Sequence, residues 1–497
     1  MKPQKCTSVA VTLLASWAMA LCAVGQDNST KSHKHHQYKL YDLGTFGGPK
    51  SGPTFDAVSL SNAGMIIGGA ETPDPDPYNP ICFFSDCLIT HAFQWQRGVL
   101  TDLGALPGPN SSFAYGFNDP GDIVGISENG SIDPDTGYQE AVAVLWRNRN
   151  IVNLGTLGGT QSLAASVNNR GQIVGWAMNT IPDPYSADLE FTGYAYSLPG
   201  TTQVRAVLWD NHGIHDLGTL GGPSALALVV NQRGQIAGQS YTGFTPNPTT
   251  GIPTIDAFLW ENGKMKDLGS LGGTITYPLN LNSRGQVVGV SYLPGDQSNH
   301  GFVWDRGVLT DLSLGGSAAW AFWNSDSGDV AGGSYLPGDQ AFHAFFWSRG
   351  VISDLGTLGG DPCSGSNSVN SNRQAVGYSG LCDVSRLRAF LWENDGPMVD
   401  LNALVEPPSD LYLSDGVYLN DRGEIVAIGI TPEGGRHVVL LRPHGSCDDA
   451  CEQRIADHQY MTPLAQPAVT GASRPALGKP GDWLRVRRAG HSIPPSE

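Results

Sequence analysis

Charge is scarce in this chain, and so is any long apolar stretch. Charged residues make up 15% of its 497 residues. Beyond the N-terminal end no uninterrupted hydrophobic run is long enough to span a membrane as a helix. Coiled-coil heptads are missing, which removes long paired helices. Catalytic signatures are missing too: there is no Gly-x-Ser-x-Gly, no His-Glu-x-x-His, no phosphate loop and no dinucleotide fingerprint. No Cys-x-x-Cys pair stands near regularly spaced histidines, which argues against zinc. Basic residues are outnumbered, 29 Lys and Arg against 46 Asp and Glu, for a net charge of −17. An acidic surface repels phosphate backbones, so nucleic acid is not an expected partner.

What the chain does have is glycine (64 residues), proline (33) and a 40% hydrophobic share. That mixture suits many short strands joined by tight turns, with ample material for a core.

The first residues carry Lys2 and Lys5, then an apolar run that ends in the small residues Ala23-Val24-Gly25. This is the pattern of a signal peptide over 1–25, cleaved before Gln26. Export to the extracellular space or periplasm is the expected localisation. A polar leader, 26–37, follows. Six cysteines remain after cleavage: Cys82, Cys87, Cys363, Cys382, Cys447 and Cys451. An even number in an exported chain points to disulfides, and sequence neighbours make 82–87, 363–382 and 447–451 the expected pairs.

Three signatures recur in fixed order. Asp-Leu-Gly or its variant stands at Asp42, Asp102, Asn153, Asp216, Asp267, Asp311, Asp354 and Asp400. An Asn-x-x-Gly turn before Ile/Val-Val-Gly is placed at Asn62, Asn118, Asn168, Asn231, Asn282, Asn324, Asn370 and Asn420. An apolar strand ends at Trp95, Trp146, Trp209, Trp260, Trp304, Trp347, Trp392 and Leu441. A period of 43 to 63 residues with four strands per unit reads as an all-β β-propeller over 38–445. The domain opens on a lone fourth strand and closes on three strands lacking one. Eight blades are therefore expected, closed by joining the N- and C-terminal strands, with seven as the alternative. Residues 446–497 lack pattern and read as a flexible C-terminal tail.

The triplets His91-Ala92-Phe93 and His343-Ala344-Phe345, with DLGTLGG at 354–360 and NNRGQIVG at 168–175, resemble the bacterial extracellular HAF-repeat family. The resemblance implies secretion and a repeat fold. It brings no activity with it.

Repeated residues are explained by construction, since each Asp of Asp-Leu-Gly can accept backbone hydrogen bonds in its own turn. Function is then expected where the copies differ. Loops between second and third strands are long in the first four units and short in the last four. They hold the candidate ligand-binding residues Glu71, Asp74, Asp76, Tyr78, Asp133, Asp135, Tyr138, Tyr185, Asp188 and Tyr194. Aromatic faces stack on sugar C–H groups while carboxylates bond hydroxyls, so a glycan or an extracellular protein is the expected partner. Oxygen ligands could also hold calcium, although the spacing lacks a regular calcium loop; otherwise no cofactor is expected. The expectation is a monomeric, non-enzymatic binding protein without catalytic residues. The alternatives are a polysaccharide lyase or hydrolase using two loop carboxylates, and a purely structural surface or matrix protein.

Overall fold

The computed structural model describes residues 35–54, 58–78, 82–134, 136–186 and 202–459. The signal peptide, most of the leader, the tail beyond 459 and the candidates Asp135, Asp188 and Tyr194 lie outside the described residues. Among the described residues no helix is long and apolar enough to cross a membrane.

The chain is an all-β propeller with four-stranded blades, each an antiparallel meander. In the sheet spanning 225–267 the strands are Ala225–Val230, Ile236–Tyr241, Ile255–Glu261 and Lys264–Asp267. The last two are joined by Asn262 and Gly263 at φ 51° and 77°. These left-handed angles are the ones a tight hairpin demands and Asn-Gly tolerates. Gly238 lies where a Cβ would come within 2.1 Å of the Leu226 carbonyl, so the glycine of the second strand is what lets the bulged first strand close on it.

Six sheets are separate and four-stranded, not the expected eight. The strands of 319–400 form one eight-stranded sheet instead. A parallel bridge between Phe342 and Cys363 joins its halves, and the Phe342 N–H donates to Cys363 Sγ at 3.3 Å. The strand His36–Asp42 pairs antiparallel with Arg436–Ser446, in one sheet with Ile425–Ile430 and Tyr412–Leu419.

The core lies between neighbouring sheets. Val174, Ala206 and Leu208 of one sheet pack on Ala225, Ala227, Ile236 and Phe258 of the next. Trp146 and Trp209 are 3% exposed, and their indole N–H groups donate to Gly104 O (3.2 Å) and Leu154 O (2.9 Å). Each ring thus buries its apolar body and satisfies its polar edge. In the same manner Phe93 and Trp95 of the first sheet share a cluster with Val426, Ile428 and Leu440 of the last.

Three sequence expectations are corrected locally. The turn register shows that Ser61 and Ser325, not Asn62 and Asn324, occupy the Asn position, because Ser61 N bonds Met65 O as Asn118 N bonds Asp122 O. The leader ends earlier than expected: His35 is buried and pairs with Glu393 at 2.9 Å, and the first strand starts at His36. Within the supposed tail, Asp449–Gln459 is a helix held by Arg388 Nη1 on His458 O (3.0 Å) and by Cys451 in the core.

All three expected disulfides are present, Cys82–Cys87, Cys363–Cys382 and Cys447–Cys451, with Cα separations of 5.1, 5.1 and 5.3 Å.

Candidate functional site

The turn after each first strand builds a belt around the propeller axis. In six repeats the Asn side-chain amide donates to the next repeat's backbone carbonyl: Asn118 to Asn168 (3.0 Å), Asn168 to Asn231 (3.1 Å), Asn231 to Asn282 (3.1 Å), Asn282 to Ser325 (2.9 Å), Asn370 to Asn420 (3.0 Å) and Asn420 to Ser61 (3.2 Å). Oδ1 of each such Asn serves its own turn; in Asn231 it accepts from Arg233 N and Gln235 N. One side chain thereby caps a turn and ties two repeats together.

Inside this belt is a cavity of about 350 Å³, to which all eight repeats contribute. That volume lies within the range of small-ligand sites. Leu228, Leu281 and Leu419 lend apolar walls, Phe117, Trp323 and Tyr418 lend rings, and the rim is polar. The residue following each Asn or Ser supplies that rim: Asn62, Asp119, Asn169, Gln232, Ser283, Asp326, Ser371 and Asp421. Among the described residues of the lining three are charged, and all are acidic: Asp119, Asp326 and Asp421. Backbone N–H groups of neighbouring repeats orient two of them, Ser283 N on Asp326 Oδ1 and Ser371 N on Asp421 Oδ1, each at 2.8 Å. Trp323 and Tyr418 meet edge to face, with ring centroids 5.2 Å apart. Burial, and then the charges of Asp421 and Asp326, hold the Tyr418 hydroxyl well above the ordinary tyrosine range.

The described residues among those singled out from the long loops are not brought together in one site. Asp76 and Asp133 are buried clamps: Asp76 accepts from Ser111 Oγ (2.8 Å) and Asp133 from Thr160 Oγ1 (2.6 Å), each at the head of the next sheet. Asp183 does the same with Ser224 Oγ. Tyr185 is partly buried against an interior cluster, its ring 6.3 Å from Tyr241. Asp74 and Tyr138 are exposed, and the half-buried Tyr78 sits beside Asp76, which accepts its N–H at 2.8 Å. Glu71 is fully buried, and neither carboxyl oxygen has a hydrogen-bond partner. Burial, then the nearby Asp86 charge, pushes it up to about 8, with Lys50 opposing. Among the described residues no group of three or more His, Cys, Asp and Glu is arranged to hold a metal.

Sequence reasoning missed the cavity residues, because the visible differences between copies lie in loops of unequal length. The signal lies in the position after each recurring turn residue, which is polar in all eight copies once Ser61 and Ser325 take the places of Asn62 and Asn324.

The Asp-Leu-Gly aspartates sit elsewhere and act structurally. Asp102 accepts from Gly104 N (2.7 Å) and pairs with His91 (2.9 Å), and the same pattern holds at Asp354 with Gly356 and His343. Burial opposes ionisation there, yet the histidine and turn bonds keep Asp42, Asp102 and Asp354 below the usual carboxylate range.

Fold and site together define a β-propeller with a central polar-rimmed cavity. No protein-family model matches the chain, and no curated protein matches it. Among solved structures it is similar to a gluconolactonase from Xanthomonas campestris (12% identity, TM-score 0.26, 55% of this chain and 82% of that one). It is also similar to an acylaminoacyl peptidase from Pyrococcus horikoshii (12%, TM-score 0.33, 78% and 59%). A third is TolB from Acinetobacter baumannii (11%, TM-score 0.31, 78% and 66%). Likeness this distant says nothing of substrate. It does correct one expectation: a protein without enzymatic activity cannot be read from this architecture, since the first two of these structures are enzymes.

Proposed function

We propose that this protein is an exported, ligand-binding propeller of the HAF-repeat kind that holds the end of a glycan in its central cavity. In this reading the eight-stranded sheet counts as two blades, giving eight, and the pairing of the first strand with the last three closes the ring. The observation that carries it is the convergence of all eight repeats on one cavity with ring-bearing walls and a polar rim. Aromatic faces and fixed carboxylates are the pair of features that sugar recognition uses, stacking on C–H faces and bonding hydroxyls. Three disulfides suit an oxidising compartment.

The test is a glycan array probed with the purified chain and with Val229→Trp, which fills the cavity from its wall. Captured glycans should be lost by Val229→Trp and kept by Tyr78→Ala. Loss with Tyr78→Ala alone would return the site to the long loops. Release of new sugar ends from a captured glycan would make the cavity a hydrolase site.

A further inference from the structure

We propose that the cavity selects a cationic ligand, an amino sugar with a free ammonium group, which it seats against Trp323, Tyr418, Asp326 and Asp421. This rests on the glycan-binding reading and names the ligand class.

Charge in the lining is of one sign. Among the described residues Asp119, Asp326 and Asp421 line the cavity, and no Lys, Arg or His does. Arg170, Arg233, Arg284 and Arg422 each follow a rim residue and are exposed outside the lining, and Arg233 lies along the belt, its Nη1 donating to the Arg284 carbonyl (3.2 Å). An anionic sugar would meet the repulsion of the three lining aspartates, whereas an ammonium group meets two kinds of attraction. The first is the pair Asp326 and Asp421. Each has one oxygen anchored by a backbone N–H, which pre-orients the carboxylate and leaves the second oxygen for a ligand. The second is the Trp323–Tyr418 pair, whose rings line the cavity and belong to the same two repeats as those carboxylates, each three residues before its aspartate. Aromatic faces attract organic cations through the ring quadrupole. A bare metal ion is a poorer fit, because rings supply no oxygen ligands and a calcium shell takes six or more. The charges of both carboxylates act on the Tyr418 hydroxyl, which places each of them within electrostatic reach of that residue.

The experiment is calorimetric titration of the full chain with chitosan tetramer and, separately, with its fully N-acetylated counterpart, both at about pH 6, where the amine is protonated. The free amine should bind at least about tenfold tighter, with an advantage that shrinks as salt rises. Asp326→Asn/Asp421→Asn keeps the acceptor oxygen for Ser283 N and Ser371 N, so the turns should persist. It should cost the chitosan tetramer about tenfold and leave the acetylated one unchanged. The charge-matched control Glu261→Gln/Glu452→Gln, at exposed sites away from the cavity, should change neither. Equal binding of the two tetramers, or binding of neither, overturns the proposal. Tighter binding of tetralysine than of chitosan overturns the sugar assignment. A neutral glycan captured on the array and lost with Val229→Trp would leave the glycan-binding reading standing while this one fails.

Discussion

The side-chain amide of Asn420 donates to the backbone carbonyl of Ser61 at 3.2 Å, across 359 residues of chain. The bond is equivalent to the ones that tie internal neighbours, such as Asn231 to Asn282. No link of this kind leaves Ser61 or Ser325 among the described residues, because a hydroxyl lacks the second arm of an amide. Ser61 Oγ is already engaged with Ala63 N and Met65 N.

Removing the amide should therefore be costly at any of the six positions. Asn420→Ala strips Oδ1 from Arg422 N and Glu424 N and orphans buried groups. A loss of about 3 kcal/mol is expected in urea unfolding. Asn231→Ala should lose a similar amount, and a much smaller loss at Asn420 would mean that the first and last repeats are not held as internal ones are. Ser325→Asn, which restores a missing arm, should gain about 1 kcal/mol.

A second prediction concerns one sheet that breaks a rule. His91, Arg205, His300 and His343 each pair with the aspartate eleven residues on, at 2.8–2.9 Å. At the same spacing Asp256 faces Asp267. Burial, then the Asp267 charge, raises Asp256 to about 7, and its Oδ1 is buried without a partner. A carboxyl raised in the folded state contributes stability below its unfolded value, and that contribution is lost as pH rises through about 7. Asp256→Arg, copying Arg205, should add about 1 kcal/mol near pH 8 and clearly less near pH 5. Equal gains at both would show that the two acids do not repel.

Glu71 should act in the same direction. Its folded value of about 8 means that the native state keeps a proton the unfolded chain gives up, so stability falls as pH climbs from about 4.5 to about 8. Glu71→Gln has no proton to lose. Its unfolding midpoint should match that of the parent in acid and exceed it near pH 9, as read by parallel denaturation curves. Curves that stay superimposed would place Glu71 in contact with water.

The disulfides should differ in weight. Cys363–Cys382 spans 19 residues, and Cys447–Cys451 spans 4. Loop entropy assigns about 3 kcal/mol to the former and less to the latter. Replacing Cys363 and Cys382 by serine should lower the unfolding free energy by that amount. Replacing Cys447 and Cys451 should mainly increase hydrogen exchange over Asp449–Gln459.

Much of the propeller was legible before any coordinates. Period-2 apolar strands, Asn-Gly turns and the recurring tryptophans are local in cause, so Phe258 and Trp209 could be placed in a core from sequence alone. Asp76 and Asp133 were misread for a different reason. An acid in a long loop looks the same whether it faces water or clamps Ser111 and Thr160 at the next sheet, and those partners lie 35 and 27 residues away. Ser61 and Ser325 were missed because an Asn stands one residue later in one turn and one earlier in the other.

By itself, then, the sequence determined the repeat, its four strands and the hairpin chemistry, which follow from backbone angles and short chain separations; it made neighbouring cysteines the expected pairs, and the structure fixed that connectivity. Tertiary structure alone decided that the strands of 319–400 merge at Phe342 and Cys363, that Asp449–Gln459 docks as a helix, and that Asp119, Asp326 and Asp421 share one cavity. Those outcomes depend on how repeats some 50 residues apart meet around a common axis, where position in the ring brings side chains together and proximity in sequence does not.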